Sequence, residues 1–301
     1  PAGTYQPDAG QTSCDDADAG YYVEDNSYTE IVYGSTQIAA GSSHTCVILD
    51  DGSVSCWGNN DRGQLGDGTT TSRNTPTQTA SLGTGRTAVA ISAGYEFTCA
   101  ILDDGSVSCW GRNEDAALGD GTTTDRHTPT QTASLGTDRT AVAMSTGGYH
   151  TCAILDDGSV SCWGKNGYGQ LGDGTAGDRH TPTQTSSLGT DRTAVAISAG
   201  YEFTCAILDD SSVSCWGQNN KGQVGDGTTT YRYTPTQTAS LGTDRTAVAI
   251  STGGYHTCAI LDDGSVSCWG QNEDANLGDG TTTDRHTPTQ TSSLGTDRTA
   301  V

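Results

Sequence analysis

The amino-acid sequence predicts an all-β protein, a β-propeller of four-stranded blades built from 53-residue tandem repeats, each with a disulfide in its hairpin. Three observations support this prediction. Cys-Trp pairs recur at a fixed spacing, short apolar runs alternate with turn residues, and no stretch keeps the 3.6-residue period of a helix. A period of about 50 residues is typical of propellers and other repeat arrays.

The cysteines define the repeat. The first cysteine of each copy recurs every 53 residues, at Cys46, Cys99, Cys152, Cys205 and Cys258. The second lies ten residues further on, at Cys56, Cys109, Cys162, Cys215 and Cys268, and a tryptophan follows each: Trp57, Trp110, Trp163, Trp216 and Trp269. We therefore divide the chain into a cysteine-rich remnant and linker, 1–36, and five tandem repeats, 37–301.

Each repeat contains four predicted strands. In the second copy they are 87–92, 95–102, 106–110 and a short segment at 128–132. The turn Asp103-Asp104-Gly105 joins the second strand to the third. Pro129 has no N–H to donate, so the last segment is expected at the edge of its sheet.

The hairpin geometry predicts that the two cysteines of each repeat pair. Cys46 and Cys56 are equidistant from residue 51, so the hairpin has a three-residue loop with Gly52 at its left-handed position. Opposed residues in this register have Cα atoms about 4.5 Å apart, within reach of a disulfide. In the fourth copy Ser211 replaces the glycine, and we expect it to be left-handed at a cost of about 1 kcal/mol.

Regular disulfides are typical of an oxidising compartment, so we predict an extracellular or cell-surface location. Two-cysteine zinc sites are the alternative, but zinc usually takes four ligands at closer spacing. The net charge of −22, with only two lysines, argues against nucleic-acid binding, which requires a basic surface. No run of 18 apolar residues is present, so we expect no membrane insertion.

The repeat resembles that of the regulator of chromosome condensation family. In the third copy the matching segments are Gly148-Tyr-His-Thr-Cys-Ala-Ile-Leu-Asp-Asp-Gly-Ser-Val-Ser-Cys-Trp-Gly164, Asn166 and Gly169-Gln-Leu-Gly-Asp-Gly174. The resemblance implies four-stranded blades arranged radially, usually seven to a ring. Because Val301 aligns with a strand position, either the natural protein continues, five repeats close a ring, or an open array stacks on copies of itself. The founding member's action at chromatin does not carry over, given this charge.

The first 14 residues differ in kind from the repeats. The run from Pro1 to Cys14 resembles the ephrin-receptor-like cysteine-rich modules of secreted proteins. That resemblance implies a partner cysteine preceding Pro1. A free or intermolecular thiol at Cys14 is the alternative.

Three groups of residues are candidates for chemistry. The Asp-Asp pairs, such as Asp103-Asp104, and the Gly-Asp-Gly-Thr loops, such as 119–122, are interpreted as turn and loop residues, with calcium as the alternative. The histidines occur at two repeat positions, and other copies have Phe97 and Phe203, or Asn74 and Tyr233, at the same places. We interpret them as structural residues: His44, His150, His256, His127, His180 and His286.

We predict no catalytic, metal or cofactor site, because every possible nucleophile recurs in each copy and catalysis usually needs one asymmetric constellation. The five tryptophans are interpreted as packing between blades rather than as a carbohydrate platform. The predicted function is a secreted or cell-surface structural and adhesive protein, whose partners are other copies of itself, forming an array or filament, or a cell-surface protein or glycan. The alternative is a soluble extracellular propeller that binds a protein or glycan, with the repeated Asn-Glu-Asp-Ala at 113–116 and 272–275 as like sites.

Overall fold

The computed structural model describes residues 4–5, 15–16, 21–24, 27–30, 37–295 and 298–300. The chain divides into two compact units, Pro1–Ser35 and Thr36–Val301. In the first unit, β1 (Thr4–Tyr5) pairs with β2 (Asp15–Asp16), and β3 (Tyr21–Glu24) pairs with β4 (Ser27–Glu30), both antiparallel. The expectations for Cys14 and Val301 concern residues outside the described ranges.

The second unit consists of five four-stranded antiparallel sheets, each in chain order, which we call blades 1 to 5. The predicted all-β propeller of 53-residue repeats is therefore confirmed. The strands of blades 1 to 3 are β5 (Ile38–Ala40), β6 (His44–Ile48), β7 (Val54–Gly58) and β8 (Arg73–Gln78); β9 (Ala88–Ala93), β10 (Phe97–Leu102), β11 (Val107–Gly111) and β12 (Arg126–Gln131); β13 (Ala141–Thr146), β14 (His150–Leu155), β15 (Val160–Gly164) and β16 (Arg179–Gln184). Those of blades 4 and 5 are β17 (Ala194–Ala199), β18 (Phe203–Leu208), β19 (Val213–Gly217) and β20 (Arg232–Gln237); β21 (Ala247–Thr252), β22 (His256–Leu261), β23 (Val266–Gly270) and β24 (Arg285–Gln290).

The first strand of each blade is the inner one, since consecutive inner strands contact each other, and the fourth is the outer edge. Pro129 lies in the outer strand β12, as its missing N–H requires. That strand begins at Arg126, two residues earlier than predicted, so His127 belongs to a strand and not to a loop. Nothing in the described ranges is a helix long and apolar enough to cross a membrane.

The central hairpin of each blade has the predicted register. In blade 2, Cys99 is opposite Cys109, and Gly105 closes the three-residue loop with a φ of 75°. All five cysteine pairs form disulfides with Cα atoms 4.1 Å apart. Ser211, in the glycine position of blade 4, has a φ of 61°, so the left-handed conformation predicted for it is confirmed.

The hydrophobic core lies between blades and not within them. The cluster between blades 1 and 2 combines Cys46, Val54 and Leu65 of one blade with Leu102 and Trp110 of the next. Equivalent clusters join each later pair of blades. The four tryptophans of blades 2 to 5 are fully buried, so packing between blades is confirmed for them and a carbohydrate platform is excluded.

Hydrogen bonds complete the joint between blades. The Trp110 indole N–H donates to the Gln64 carbonyl at 3.0 Å, and the Thr98 hydroxyl donates to the same oxygen at 3.0 Å. His44 Nε2 lies 2.8 Å from Thr98 Oγ1. Each blade thus presents two different faces: a forward face that receives the next blade, and a rear face that carries the tryptophan and the threonine.

Candidate functional site: a tyrosine face at the blade axis

The ends of the five inner strands surround one axial pocket of about 270 Å³. Its wall is mostly backbone, because a glycine follows each inner strand. A Cβ on Gly147 would lie 2.4 Å from the Gly200 carbonyl oxygen of the next blade, so only glycine permits this approach. Tyr95 and Tyr201 stand beside these glycines and line the pocket.

Four tyrosines from consecutive blades form a continuous cluster, two of them in the lining of this pocket. We call Tyr95, Tyr149, Tyr201 and Tyr255 the tyrosine face. Ring centroids are 5.7 Å apart between Tyr95 and Tyr149, 5.2 Å between Tyr149 and Tyr201, and 5.7 Å between Tyr201 and Tyr255. The rings are tilted or edge-on, an arrangement that aromatic pairs favour. The outer members, Tyr95 and Tyr255, are 40% and 36% exposed, so the face is open to a partner.

Two cations lie against the second tyrosine. Lys165 Nζ is 4.9 Å from the Tyr149 ring centroid, and Arg112 Cζ is 5.1 Å from it. Lys165 also pairs with the buried carboxylate of Glu202 at 2.7 Å. Lys165 is one of only two lysines in the chain, whose net charge is −22. A lysine at the centre of the tyrosine face is therefore rare in this molecule.

The surroundings raise the pKa values of Tyr201, Tyr255 and both cations. The hydrogen bond between the Tyr149 and Tyr201 hydroxyls, 2.8 Å long, together with burial, raises the pKa of Tyr201. Burial is the largest single influence on the pKa of Lys165 and lowers it, but the hydrogen bond donated to Glu202 and the attraction of Glu202 and Asp115 together outweigh burial, so the pKa is raised. Tyr201 and Tyr255 therefore stay neutral, and the two cations stay charged, across the physiological pH range.

Sequence reasoning missed the tyrosine face. The sequence predicts Tyr95 inside a strand, but β10 begins only at Phe97 and leaves Tyr95 beside the axial pocket. The signal was present as an alternation between repeats: copies two and four have Gly-Tyr-Glu-Phe, whereas copies three and five have Gly-Gly-Tyr-His. Only the radial arrangement brings these two tyrosine positions into one cluster.

The Asp-Asp pairs lie at the hairpin tips, as predicted. Asp104 accepts a hydrogen bond from the Ser106 backbone N–H at 3.0 Å and pairs with Arg86 at 2.7 Å. The hydrogen bond from the Ser106 side chain is the main cause of the lowered pKa of Asp104. These carboxylates therefore serve the turn and an ion pair.

The Gly-Asp-Gly-Thr loops are held together by their own polar groups. Asp120 accepts hydrogen bonds from Thr122 Oγ1 at 2.7 Å and Arg126 Nε at 2.6 Å. The buried Asn113 amide donates to the Thr122 and Thr124 carbonyls, and its oxygen accepts from the Leu118 N–H. Asparagines in all five blades act alike, so the asparagines of the two Asn-Glu-Asp-Ala segments are loop supports rather than ligand sites.

His44 and His150, each at the start of the second strand of its blade, are buried in the joints between blades, and His256 at the same repeat position is partly buried. The other three histidines lie exposed on outer strands: His127, His180 and His286. His150 Nε2 lies 2.8 Å from Thr204 Oγ1 of the next blade, and burial lowers the pKa of His150 to about 3. A histidine beside a hydroxyl has the geometry of a base and nucleophile. Because both residues are fully buried, substrate cannot reach them, and the pair stabilises the joint. Among the residues that the structure describes, no group of three or more His, Cys, Asp or Glu is placed to hold a metal ion.

Comparisons with known proteins agree with this architecture. The RCC1-like domain family matches residues 22–301. The ultraviolet-B receptor UVR8 of Arabidopsis thaliana is 33% identical over 261 residues, which are 87% of this chain and 58% of the receptor. The human E3 ubiquitin-protein ligase HERC2 is 29% identical over 81% of this chain, which spans only 5% of the ligase.

Solved structures support the same fold. Yeast RCC1 (Prp20), in its complex with Kap60, has a TM-score of 0.55 and is 19% identical, covering 86% of this chain and 75% of the yeast chain. At this identity the likeness concerns the fold alone.

Proposed function

Because the chain belongs to the RCC1-like domain family of propellers, we propose that it is an extracellular adhesive protein that holds a partner protein on its tyrosine face. The observation that carries this proposal is the convergence of four tyrosines, two of them well exposed, around Arg112 and Lys165. Tyrosine and arginine are enriched in the residues that dominate protein–protein binding. Tyrosine also provides a large contact area at a low cost in side-chain entropy.

A protein partner fits the shape and chemistry of this surface better than a glycan. The rings are tilted or edge-on to one another, so they form an uneven cluster rather than the flat platform on which a sugar ring stacks. Yeast RCC1, which shares this fold, has been solved in a complex with the protein Kap60. The partner class is thus an inference from the ring geometry, supported by the family.

The charge around the face indicates a basic partner surface. Glu114 is exposed and Glu96 partly exposed beside Arg112, and the whole chain carries a net charge of −22. An acidic field raises the association rate of a positively charged partner. We therefore expect the bound segment to combine basic and aromatic side chains.

The disulfides support the proposed location. Five structural disulfides in short hairpins are typical of secreted and cell-surface proteins, and cytosolic thiol systems would keep such cysteines reduced. Non-reducing peptide mapping of the protein from its natural source should find the ten repeat cysteines linked within their own repeats. Reduced thiols in that material would contradict an extracellular location.

Binding is tested with peptides selected from a random display library on the wild-type protein. We expect the double variant Tyr95→Ser, Tyr255→Ser to lose at least tenfold in affinity for them. Tyr233→Ser is the matched control, because Tyr233 is similarly exposed at 38% but lies on the outer strand β20. Equal affinities for the two variants would contradict the proposed site, and selective binding on a glycan array without peptide binding would contradict the partner class.

A further inference from the structure

A polar pocket of about 560 Å³ lies at the joint between blades 2 and 3, within the size range of small-molecule sites. The loop 134–139, which leads into β13, forms one wall, and the hairpin and outer strand of blade 3 form the others. Leu135 of the loop packs against the core cluster that joins the two blades. We call the space lined by Leu135, Arg139, Ser161 and Gln184 the joint pocket. Since β13 runs from this loop to Gly147 at the axial pocket, the joint pocket and the tyrosine face lie at opposite ends of the inner strand.

The same pocket recurs two joints further along the chain. Between blades 4 and 5 the equivalent residues, among them Arg245, Ser267 and Gln290, line a pocket of about 440 Å³. The joints between blades 1 and 2 and between blades 3 and 4 carry identical residue types at every one of these lining positions. The pocket is therefore a feature of the joint between sequential blades.

One wall of the joint pocket carries a buried hydroxyl without a partner. Ser161 is only 3% exposed, and none of the described residues forms a hydrogen bond with its hydroxyl. The neighbouring Ser159, in contrast, donates to Asp157 at 2.6 Å. The counterpart of Ser161 between blades 4 and 5, Ser267, is 2% exposed and likewise has no partner among the described residues. Buried hydroxyls are nearly always hydrogen-bonded, so an unpaired one in a pocket wall indicates a place for a polar group of a ligand.

The other walls are held in place by contacts within the protein. Arg139 pairs with Asp156 at 3.1 Å and with Asp157 at 2.9 Å, and these ion pairs tie the loop to the hairpin. The Ser134 hydroxyl donates to the Gly136 carbonyl and accepts from the Gly136 N–H, both at 3.1 Å. A preformed site loses little conformational entropy when it binds.

The charges around the joint pocket favour a neutral ligand. Arg139 is outnumbered by the two aspartates that it pairs with, and the whole chain has a net charge of −22, so an anion would be repelled. A cation would gain little, because the carboxylate oxygens of Asp157 already bond to Ser159 and Arg139.

The polar groups of the joint pocket suit a ligand rich in hydroxyls. The Ser161 hydroxyl and the Gln184 amide can each donate and accept hydrogen bonds, as sugar hydroxyls do. Leu155 and Pro182 add an apolar surface to the same pocket, against which the C–H groups of a sugar ring can pack. These groups together match a pyranose ring, which presents hydroxyls at its rim and C–H groups on its faces.

We propose that the joint pocket binds a neutral saccharide, and that its repetition along the chain holds a neutral polysaccharide at several joints at once. Linked weak sites bind a repeating polymer far more tightly than one site binds a single sugar. Because the joint pocket and the tyrosine face lie at opposite ends of the inner strands, this proposal does not depend on the function proposed above.

The single site is tested by NMR of the full chain with labelled leucine methyl groups. The probes are the methyl glycosides of glucose, galactose and mannose, together with the methyl uronides of the same sugars. At least one neutral glycoside should shift the methyl signals of Leu135 and Leu155, and its uronide should bind about tenfold more weakly because the surface is acidic. Ser161→Val replaces the hydroxyl by a methyl group and should abolish these shifts, but not those of Leu241 and Leu261 in the pocket between blades 4 and 5.

Thr181→Val is the matched control, because it makes the same chemical change at an exposed position of β16 outside the pocket, and it should bind like wild type. Circular dichroism establishes that each variant is folded. Gln184→Ala alters only an exposed side chain and should weaken binding about fivefold, so the site remains testable if Ser161→Val does not fold. The proposal would be overturned if no neutral glycoside shifts these signals, if the shifts persist in the folded Ser161→Val and Gln184→Ala variants, or if uronides or random peptides bind the pocket more tightly.

Retention on beads carrying dextran, mannan or galactan tests the repetition. Replacing all four equivalent serines by valine should lower the apparent affinity for the retained polymer about tenfold or more, whereas Ser161→Val alone should lower it less. The four serines are Ser108, Ser161, Ser214 and Ser267. Equal retention of the wild type and the fourfold variant would contradict binding at several joints. The Tyr95→Ser, Tyr255→Ser variant should be retained like wild type, which separates this proposal from the tyrosine face.

Discussion

Trp57 and Trp110 occupy the same position in sequential repeats, inside the same Val-Ser-Cys-Trp-Gly strand, yet their surroundings differ. Trp110 is fully buried against blade 1 and donates its indole N–H to Gln64. Trp57 is partly exposed, since no blade precedes blade 1 in the described part of the chain. The local sequence is the same, so the difference in burial is caused by the neighbouring blade. Stability in this molecule therefore resides in the joints between blades.

Replacing each of the two tryptophans by alanine tests directly whether burial between blades determines their contribution to stability. Trp110→Ala should lower the free energy of unfolding by about 3–5 kcal/mol, since it leaves a cavity in a packed joint. Trp57→Ala should cost about 1 kcal/mol, as expected of a partly exposed side chain. Guanidinium unfolding at low protein concentration measures both. Equal losses would show that the two tryptophans are equally buried in solution.

Removing a disulfide should not distinguish an end blade from an internal one. Cysteines of blades 1 and 3 are equally buried, and both pairs close a ten-residue separation. Replacing Cys152 and Cys162, or Cys46 and Cys56, by alanine should cost about 2–3 kcal/mol in either blade, because the bond acts mainly on the unfolded chain. Unfolding of the two double variants checks this. A much greater loss in blade 3 would indicate that the cysteines contribute mainly by packing between blades.

Acidification should destabilise the folded protein through its buried histidines. Burial lowers the pKa of His44 to about 4 and that of His150 to about 3, so below pH 6.5 the unfolded chain binds more protons than the folded one. Their contribution is fully present above pH 6.5 and is lost as pH falls towards the folded pKa. Between pH 7 and pH 5 each should cost roughly 2 kcal/mol of stability.

Phenylalanine provides the matched substitution, because Phe97 and Phe203 already fill this position in other blades. His150→Phe should remove about 2 kcal/mol of the pH dependence between pH 7 and pH 5. His256→Phe should remove less, because His256 is only partly buried. Unfolding curves at the two pH values measure the difference. If both variants keep the full pH dependence of the wild type, another group causes it.

The smallest expected effect compares two hairpin tips. Ser211→Gly should stabilise the protein by about 1 kcal/mol, since its φ of 61° costs a side chain more than it costs glycine. The reverse change in blade 3, Gly158→Ser, should destabilise, because its Cβ would lie 2.5 Å from the Thr193 Cβ. Thermal unfolding of the two variants checks the signs. A destabilised Ser211→Gly would mean that the serine makes a contact that offsets its strain.

Much of the fold was predictable because its main signals are local. The ten-residue cysteine spacing, centred on Asp-Asp-Gly, determines the hairpin register within one short segment, and the structure pairs Cys99 with Cys109 accordingly. The ends of strands could not be predicted as well. Arg126 and His127 belong to the outer strand because that strand pairs with β11, and this pairing cannot be inferred from the local sequence. The histidines could be interpreted as structural from the phenylalanines that replace them. Burial confirms that interpretation for His44 and His150. It stays a prediction for the three exposed histidines of the outer strands, His127, His180 and His286.

The sequence by itself determined the period, the four strands per repeat, the paired cysteines and the left-handed Ser211, since each depends on residues close together in the chain. Only the tertiary structure decided where the tyrosines meet and which tryptophan stays exposed. Tyr95 and Tyr149 are 54 residues apart and occupy different repeat positions, so no local pattern links them. They meet because the blades pack side by side around one axis. Trp57 differs from its four counterparts because no blade precedes blade 1 in the described part of the chain.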